Sequence, residues 1–578
     1  MRITFTKRVG VTAAALALAA TGAGCQQQVN TTTTTTTTTS SGSASGAPSS
    51  GGTTANSLAS TDWNRVDAAQ VKEGGTLTLP ITQLPDNWNS GQADGALADL
   101  TDVRDPMGYN NFLRLDETGK ATLNPDYVES ATVKSQDPQV ISVKFNSKAK
   151  WEDGKPITIA DLAAYVKALS GADAAYQIAS DQGWKDIASV TKTTDDFTGE
   201  ITFKNKTVDW IQYIYPDLPA SISSDAKKFN EGYVKTPTPS YGPYKVKSVD
   251  TTGQVITLER NPQWWGTKPK LDTIVWKVVS QANLPQAFSN KEIDAIRDIV
   301  TGDSYQAAQA RTDAKMEKTN GLTWTHVTMN ATRGALADVN VRKAAALAIN
   351  RPIIGEVVVG PLEAPVTLVN NAVFMPGQNG YEDSYGGQLT YDPAKAEQTL
   401  KDAGYAKGSD GVYAKDGKSL TLSIVVPADA KSNINRATQI SKDLNAVGFK
   451  VDLKTVPSDQ YFKEYVNKKN FDLVTFSWVG TAFPIATAAN LFYPVDSAQN
   501  YTGFANPKIG ELDKAAQAEF DPTKRIADAN EMSKVMLGDY TIVPFYATPK
   551  VWAVNKAVAN YGASQFESFD WTKIGFTS

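Results

Sequence analysis

Apolar and polar residues alternate from Leu322 onward, with Leu322, Trp324, His326 and Thr328 on one side, and that period of two predicts a strand. A polar, glycine-containing turn follows, after which Val341, Ala344, Ala345, Ala348 and Ile349 recur at helical spacing. Asn340 is the candidate N-cap of that helix, and Pro352 lies just past its end. The same two periods continue on either side. Upstream, Gly75 to Ile81 alternates as the first strand of the folded part, and Gln83 to Asn89 reads as the loop after it. Val140 to Phe145 is a further strand; Thr158 and Asp161 are spaced as a capping box, and Leu162, Tyr165, Val166 and Leu169 form the buried stripe of the helix they open. Trp151 and Asp153, in a W-x-D-G-x-P turn between them, are read as shaping a rigid turn. Ile274, Trp276 and Val278 alternate as another strand, following a hairpin signal at Tyr241.

Downstream, Asp392 caps a short helix with Pro393 in its first turn, Ala396, Leu400 and Ala403 facing inward, and Gly404 ending it. Leu420 to Val426 then forms a strand, Ile434 to Val447 a helix closed by Gly448, and Phe449 to Leu453 a second strand. This is a βαβ unit, hence a parallel pair with a right-handed crossover. Ligands in open α/β sheets sit beyond the carboxyl ends of such strands. Phe471 to Trp478 adds a strand that runs into Val479–Pro484, and Asp521-Pro522 opens the last long helix, with Ile526, Ala529, Met532 and Met536 inward.

The chain has 578 residues, 41% hydrophobic and 20% charged, which fits a soluble protein of more than one domain. A net charge of −4 gives no basic surface for nucleic acid. A single Cys and a single His exclude a disulfide framework and argue against a Cys/His metal cage or nucleophile pair; no metal and no cofactor is expected. His326 is read as a satisfied structural imidazole. Twelve Trp and 22 Tyr exceed what a core requires, and aromatics are favoured where ligands are gripped.

The amino-terminal residues read as a secretion signal: Arg2, Lys7 and Arg8, then an apolar run from Val9 to Ala20 that is shorter than the ~20 residues a membrane span needs. Residues 26–70 follow as a Thr/Ser/Gly-rich tether with nine consecutive Thr. Such a composition buries too little apolar surface to order itself, and the reach of the tether is about 30–35 Å. A glycosylated, mucin-like stalk is the other use of this threonine density.

Several motifs together resemble the peptide/nickel family (family 5) of ABC-transporter solute-binding proteins. They are Met329-Asn330 followed by V-R-x-A…A-I-N-R from Val341 to Arg351; the W-x-D-G-x-P turn with its capped helix; Gly242-Pro243-Tyr244; Arg260-Asn261-Pro262 with Trp264-Trp265; and the return segment near Thr541 to Val554. In Glu292-Ile293-Asp294-Ala295, Lys291 stands where the family commonly has Gly. The resemblance runs from about Gly74 to Trp571 and extends to an actinobacterial-type lipoprotein branch. It also makes Ala23-Gly24-Cys25 a lipobox, with Cys25 lipidated; Gly22 replaces its usual Leu, and a plain signal peptide is the alternative.

The resemblance implies an α/β, two-lobed periplasmic-binding-protein-like fold (type II, cluster C) with an extra small domain in the first lobe. The implied division is a signal at 1–25, the tether at 26–70, a first lobe at 71–322 with an inserted subdomain at about 111–205, a second lobe at 323–541, and a return to the first lobe at 542–578. The implied function is that of a lipid-anchored, outward-facing, monomeric receptor that closes on a peptide-like solute and passes it to an ABC permease. The implied ligand contacts are Gln83, Trp88, Trp478, Gly480, Thr481 and Tyr546. Family members that take a free peptide amino terminus carry W-x-(A/G)-D where this chain has Trp478-Val479-Gly480-Thr481. Without that acid a buried ammonium is costly, so the ligand's amino terminus is left open, and a sugar or metal chelate joins the alternatives. Trp88 and Trp478 each have a plain packing role as the other reading. A transport-independent envelope lipoprotein on the same fold is the second functional reading. An enzyme is not expected, since neither G-x-S-x-G nor H-E-x-x-H occurs.

Overall fold

The computed structural model describes residues 58–385 and 387–577; the signal peptide, Cys25 and the tether as far as residue 57 lie outside them. The strand expected from Leu322 is Thr323–Met329, and it lies inside a six-stranded sheet. The order is Thr367–Leu368, Ile542–Ala547, Thr323–Met329, Leu473–Val479, Thr421–Pro427, Lys450–Val456. Thr323–Met329 runs antiparallel to both neighbours, whereas the last three strands are mutually parallel. The expected βαβ unit is present, its crossover being the helix Lys431–Ala446. The stripe Val341, Ala344, Ala345, Ala348 and Ile349 is fully buried against one face of this sheet. Its helix, Val339–Ala348, is capped by Asp338 rather than Asn340, because the Asp338 carboxylate accepts the Asn340 N–H at 2.8 Å. Pro352 belongs to the first turn of the next helix, Arg351–Val359, which Asn350 caps.

The first lobe is built on other strands. Thr76–Ile81 runs parallel to Thr273–Val278, and Val255–Arg260 and Tyr244–Asp250 extend that sheet antiparallel. A separate four-stranded antiparallel sheet spans Val128 to Phe203 and carries the helix Ile159–Leu169, whose Thr158/Asp161 capping box forms as expected. Both sheets share one apolar core, distinct from the core of the second lobe. Trp264 and Trp265 pack on Tyr127 at 5.8 and 5.4 Å, tying their loop to the start of the small sheet. Lys291 takes φ +62°, so the position where glycine is common does require left-handed backbone.

A three-stranded sheet, Ala295–Ile296, Lys550–Asn555 and Ala314–Thr319, stands where the lobes join. From it the chain crosses twice: out through Asn320–Leu322 into Thr323–Met329, and back through Thr548–Pro549 from Ile542–Ala547. The return therefore comes later than residue 542. Ile542–Ala547 is apolar and buried throughout, so it is used first as an inner strand of the second sheet. Likewise the body starts before residue 71. Thr61–Asp62 pairs with Ala563–Ser564, Asn64 donates to Val558 O, and Asn560 donates from its amide to Val66 O. Those partners lie almost 500 residues away in sequence, so local composition gives no sign of them.

The two crossings touch. Thr548 N–H donates to Thr323 O at 2.7 Å, and a Cβ on Gly321 would lie 1.9 Å from Thr548 O. Gly321→Ala is expected to lower the unfolding free energy by about 1–3 kcal/mol, the cost of forcing atoms into filled space. Gly538→Ala, at the end of the helix Pro522–Gly538 with nothing within 4 Å, is expected to raise it by about 0.4–1 kcal/mol. Equilibrium urea denaturation of the two variants checks the pair.

Candidate functional site

The carboxyl ends of the second lobe's three parallel strands include Val479, 67% exposed, from which Gly480–Phe483 departs as a loop. Its shape is set by its neighbours. Gly480 N–H donates to Leu322 O at 2.7 Å, and a Cβ at Gly480 would meet Met375 Cγ at 2.7 Å, so a larger residue would push the loop off the crossing strand. The Gln378 amide donates to Thr481 O at 3.0 Å while its own oxygen accepts Met375 N–H at 3.0 Å. Thr481 Oγ1 accepts Phe483 N–H at 2.8 Å, a turn contact that a carboxylate could equally make.

Trp478 is half-buried in an aromatic group. Its ring lies parallel to Tyr501 at 5.9 Å and to His326 at 6.2 Å, and meets Phe476 edge-on at 5.3 Å. Its indole N–H is buried and has no acceptor among the described residues. His326 is fully buried, with Nδ1 3.2 Å from Thr328 Oγ1. Desolvation, with Arg436 adding to it, pulls its pKa down to about 3, so the imidazole stays neutral and serves packing.

The other expected contacts separate. Gln83 is exposed on the loop after Thr76–Ile81. Trp88, expected in the cleft wall, is a core residue of the first lobe. The flanking Asn87 and Asn89 turn its loop inward, Asn89 donating to Phe229 O at 2.8 Å and Asn87 to Asn230 O at 3.0 Å. Tyr546 is also core: it pairs with Leu368 on an inner strand and is 1% exposed. Trp478, Gly480 and Thr481 are the expected residues that the structure brings together, because they share one strand end.

Sequence reasoning missed two groups. The first stands beside the crossings. Arg297 pairs with Asp102 at 2.5 Å, and Lys550, one residue past Pro549, donates to Ser564 O at 2.8 Å. Asp102 is placed by its helix, Ala98–Arg104, which a buried bidentate pair between Arg104 and Asp217, at 2.8 and 2.7 Å, pins into the lobe. Burial disfavours the Arg297 charge, and Asp102 more than restores it; burial pulls Lys550 below the usual lysine range, with Asp298 opposing. The second group is where other parts of the lobes approach each other. Asp209 of the first lobe is buried, and Ala486 and Arg525 of the second lobe lie near enough to act on its carboxyl. Asn379 N–H donates to Thr118 O at 2.9 Å, again from one lobe to the other. No local motif marks Asp209 in the sequence; its partners are set by how the lobes meet.

Two open concavities of about 620 and 560 Å³ lie on single lobes, beside Arg333 and Lys469 and beside Tyr233 and Pro239, and hinge motion would not gate them. Among the described residues no three His, Cys, Asp or Glu side chains are grouped to hold a metal ion.

A family model described as bacterial extracellular solute-binding proteins, family 5, middle region, matches residues 122–500. The oligopeptide-binding protein OppA of Mycobacterium tuberculosis is 33% identical over 521 residues, which span 89% of this chain and 87% of OppA. An uncharacterized lipoprotein of the same organism is 23% identical over 505 residues, 77% of this chain and 84% of its own. Among solved structures, the periplasmic EDTA-binding protein EppA is 25% identical with a TM-score of 0.77, covering 91% of this chain and all of EppA.

The burial of Asp209 where the lobes approach gives any separation of them a pH dependence. Burial raises the Asp209 carboxyl to about 6 with the lobes together, with Arg525 and the Ala486 N–H opposing, whereas an opened, solvated carboxyl titrates near ~3.9. The closed form therefore binds the proton more tightly, and closing is favoured as pH falls from 6 toward 4, by up to about tenfold per pH unit. Interlobe distances measured at pH 7.5 and 5 should show this in the parent protein and a flatter response in Asp209→Asn.

Proposed function

Because this chain belongs to the family 5 bacterial extracellular solute-binding proteins, we propose that it captures a peptide or peptide-like solute between its lobes and hands it to the membrane permease of an ABC importer. The observation that carries this reading is the likeness to OppA over nearly the whole of both chains. The architecture suits such a receptor, since two main cores meeting at one narrow joint allow a ligand to be enclosed by closure and released by reopening. The receptor acts as a monomer on the outer side of the membrane and carries out no chemistry on its cargo. Cys25 anchors it through lipid, a reading supported by the lipoprotein relative.

Trp478, Gly480 and Thr481 form one wall of the site. With a neutral Thr481, the ligand's amino end is not held by an acid at that position, which suits blocked or internally bound peptides. A second reading, an anionic chelate, is favoured by the same neutral loop, by Arg297 and Lys550 beside the crossings, and by the likeness to an EDTA-binding protein.

Native mass spectrometry of freshly purified protein separates these readings by the mass of the retained cargo. A peptide mass supports the first and a metal-bearing mass the second. No cargo, together with co-purification of an envelope enzyme, would point instead to a transport-independent envelope role. With the cargo identified, Trp478→Ala is expected to weaken binding about tenfold, the scale of one lost aromatic contact with its desolvation. Thr481→Asp keeps the Phe483 turn and is expected to shift preference toward ligands with a free ammonium by about tenfold or more. Titration calorimetry on both variants checks this, and unchanged binding in both would remove the site from this loop.

A further inference from the structure

The residues that lead from the amino-terminal extension into the body do not enter at one lobe. Leu58 packs its side chain against the core of the second lobe. Its carbonyl accepts the Asn320 amide at 2.8 Å, and Ala59 O accepts Asn320 N–H at 3.1 Å; Asn320 is the first residue of the outgoing crossing. Ser60 O accepts Gln565 N–H at 2.7 Å, and the Gln565 side chain donates to Pro376 O of the second lobe at 2.9 Å and to Gly321 O at 3.3 Å. Two residues later the contacts belong to the first lobe. Thr61 and Asp62 pair with Ser564 and Ala563, and Asp62 bonds Lys315 Nζ at 2.6 Å and Lys318 N–H at 2.9 Å, both on the hinge strand Ala314–Thr319.

From this placement we infer that Leu58–Asp62 is a strap across the hinge that holds the two lobes in their closed arrangement. Closure pivots on Asn320–Gly321 and Thr548–Pro549. Rotation there moves the second-lobe seat of Leu58 away from the first-lobe anchors of Asp62. Three intervening residues, at about 3.3–3.6 Å each, leave little slack, so opening must strip Leu58 from its seat or break the bonds to Asn320. The lobes touch through Asn379 N–H and Thr118 O while every strap bond is made. Leu58–Asp62 therefore meets the body at the hinge itself. The strap acts in the free protein, whichever solute is later bound.

The test measures interlobe distance without ligand. Spin labels at Lys206→Cys and Lys524→Cys, exposed positions one on each lobe, are read by pulsed electron resonance in the secreted chain carrying Cys25→Ser. In Leu58→Asp with Asp62→Ala, the widely separated population is expected to rise about fivefold over the parent. Leu58→Ala, a truncation of one partly exposed side chain, is expected to raise it about twofold and decides the matter where the double variant does not fold. An unchanged distance distribution, with only a lower urea midpoint, would mean that the segment is a structural tail and would overturn the inference.

Discussion

Everything in this molecule turns on the contact between the two crossing segments. Each lobe encloses its own main apolar core, and a smaller apolar cluster at the joint packs Leu362 of the second lobe among Phe288, Tyr305 and Val551 of the first. The halves are held in register there by backbone, Thr548 to Thr323 at 2.7 Å with the room left by the missing Cβ of Gly321. Side chains hold them too: Leu362 in the shared cluster, Tyr305 donating to Glu363 at 3.0 Å and Lys318 donating to Glu363 O at 2.7 Å. The two main cores stay separate, and the apolar cluster that the lobes share lies at this joint.

The site inherits its geometry from the same place. The loop after Val479 leans on Leu322, the last residue of the outgoing crossing, and is braced by Met375 and Gln378. Arg297, Asp102 and Lys550 stand beside the return crossing. The strand-end loop and this charged group are thus both fastened to the joint, whereas buried Asp209 lies near Ala486 and Arg525 of the other lobe.

Local elements were readable wherever one short stretch carried all of its own information. The Thr158/Asp161 capping box, the Asp392 and Asp521 caps, the left-handed turn at Gly448 and the alternation of Thr323–Met329 need only their own neighbours. The failures are equally specific. Asn340 lost the cap to Asp338, two residues earlier and just as suitable by type. Trp88, implied as a ligand contact, takes its other reading as a packing residue, because Asn87 and Asn89 fold its loop inward by bonding to backbone at 229 and 230. Tyr546 was assigned to a crossing that begins two residues later, since nothing in an apolar run of six says which of two sheets will take it.

By themselves, then, the chain's periods and caps determined its strands, its capped helices and the strand end at Trp478, which are properties of residue type and local spacing. Two lobes, the place of the outgoing crossing and a neutral residue where relatives carry an acid were implied by the resemblance that the motifs carry. Tertiary structure alone decided that residues 58–62 bond to the crossing and to the hinge strand, that Arg297 pairs with Asp102, and that Lys550 bonds Ser564 O. Each of these joins positions from 14 to more than 250 residues apart through polar contacts. A polar side chain is content in water until a distant surface removes that water, so its partner is chosen by the fold and leaves no periodic mark along the sequence.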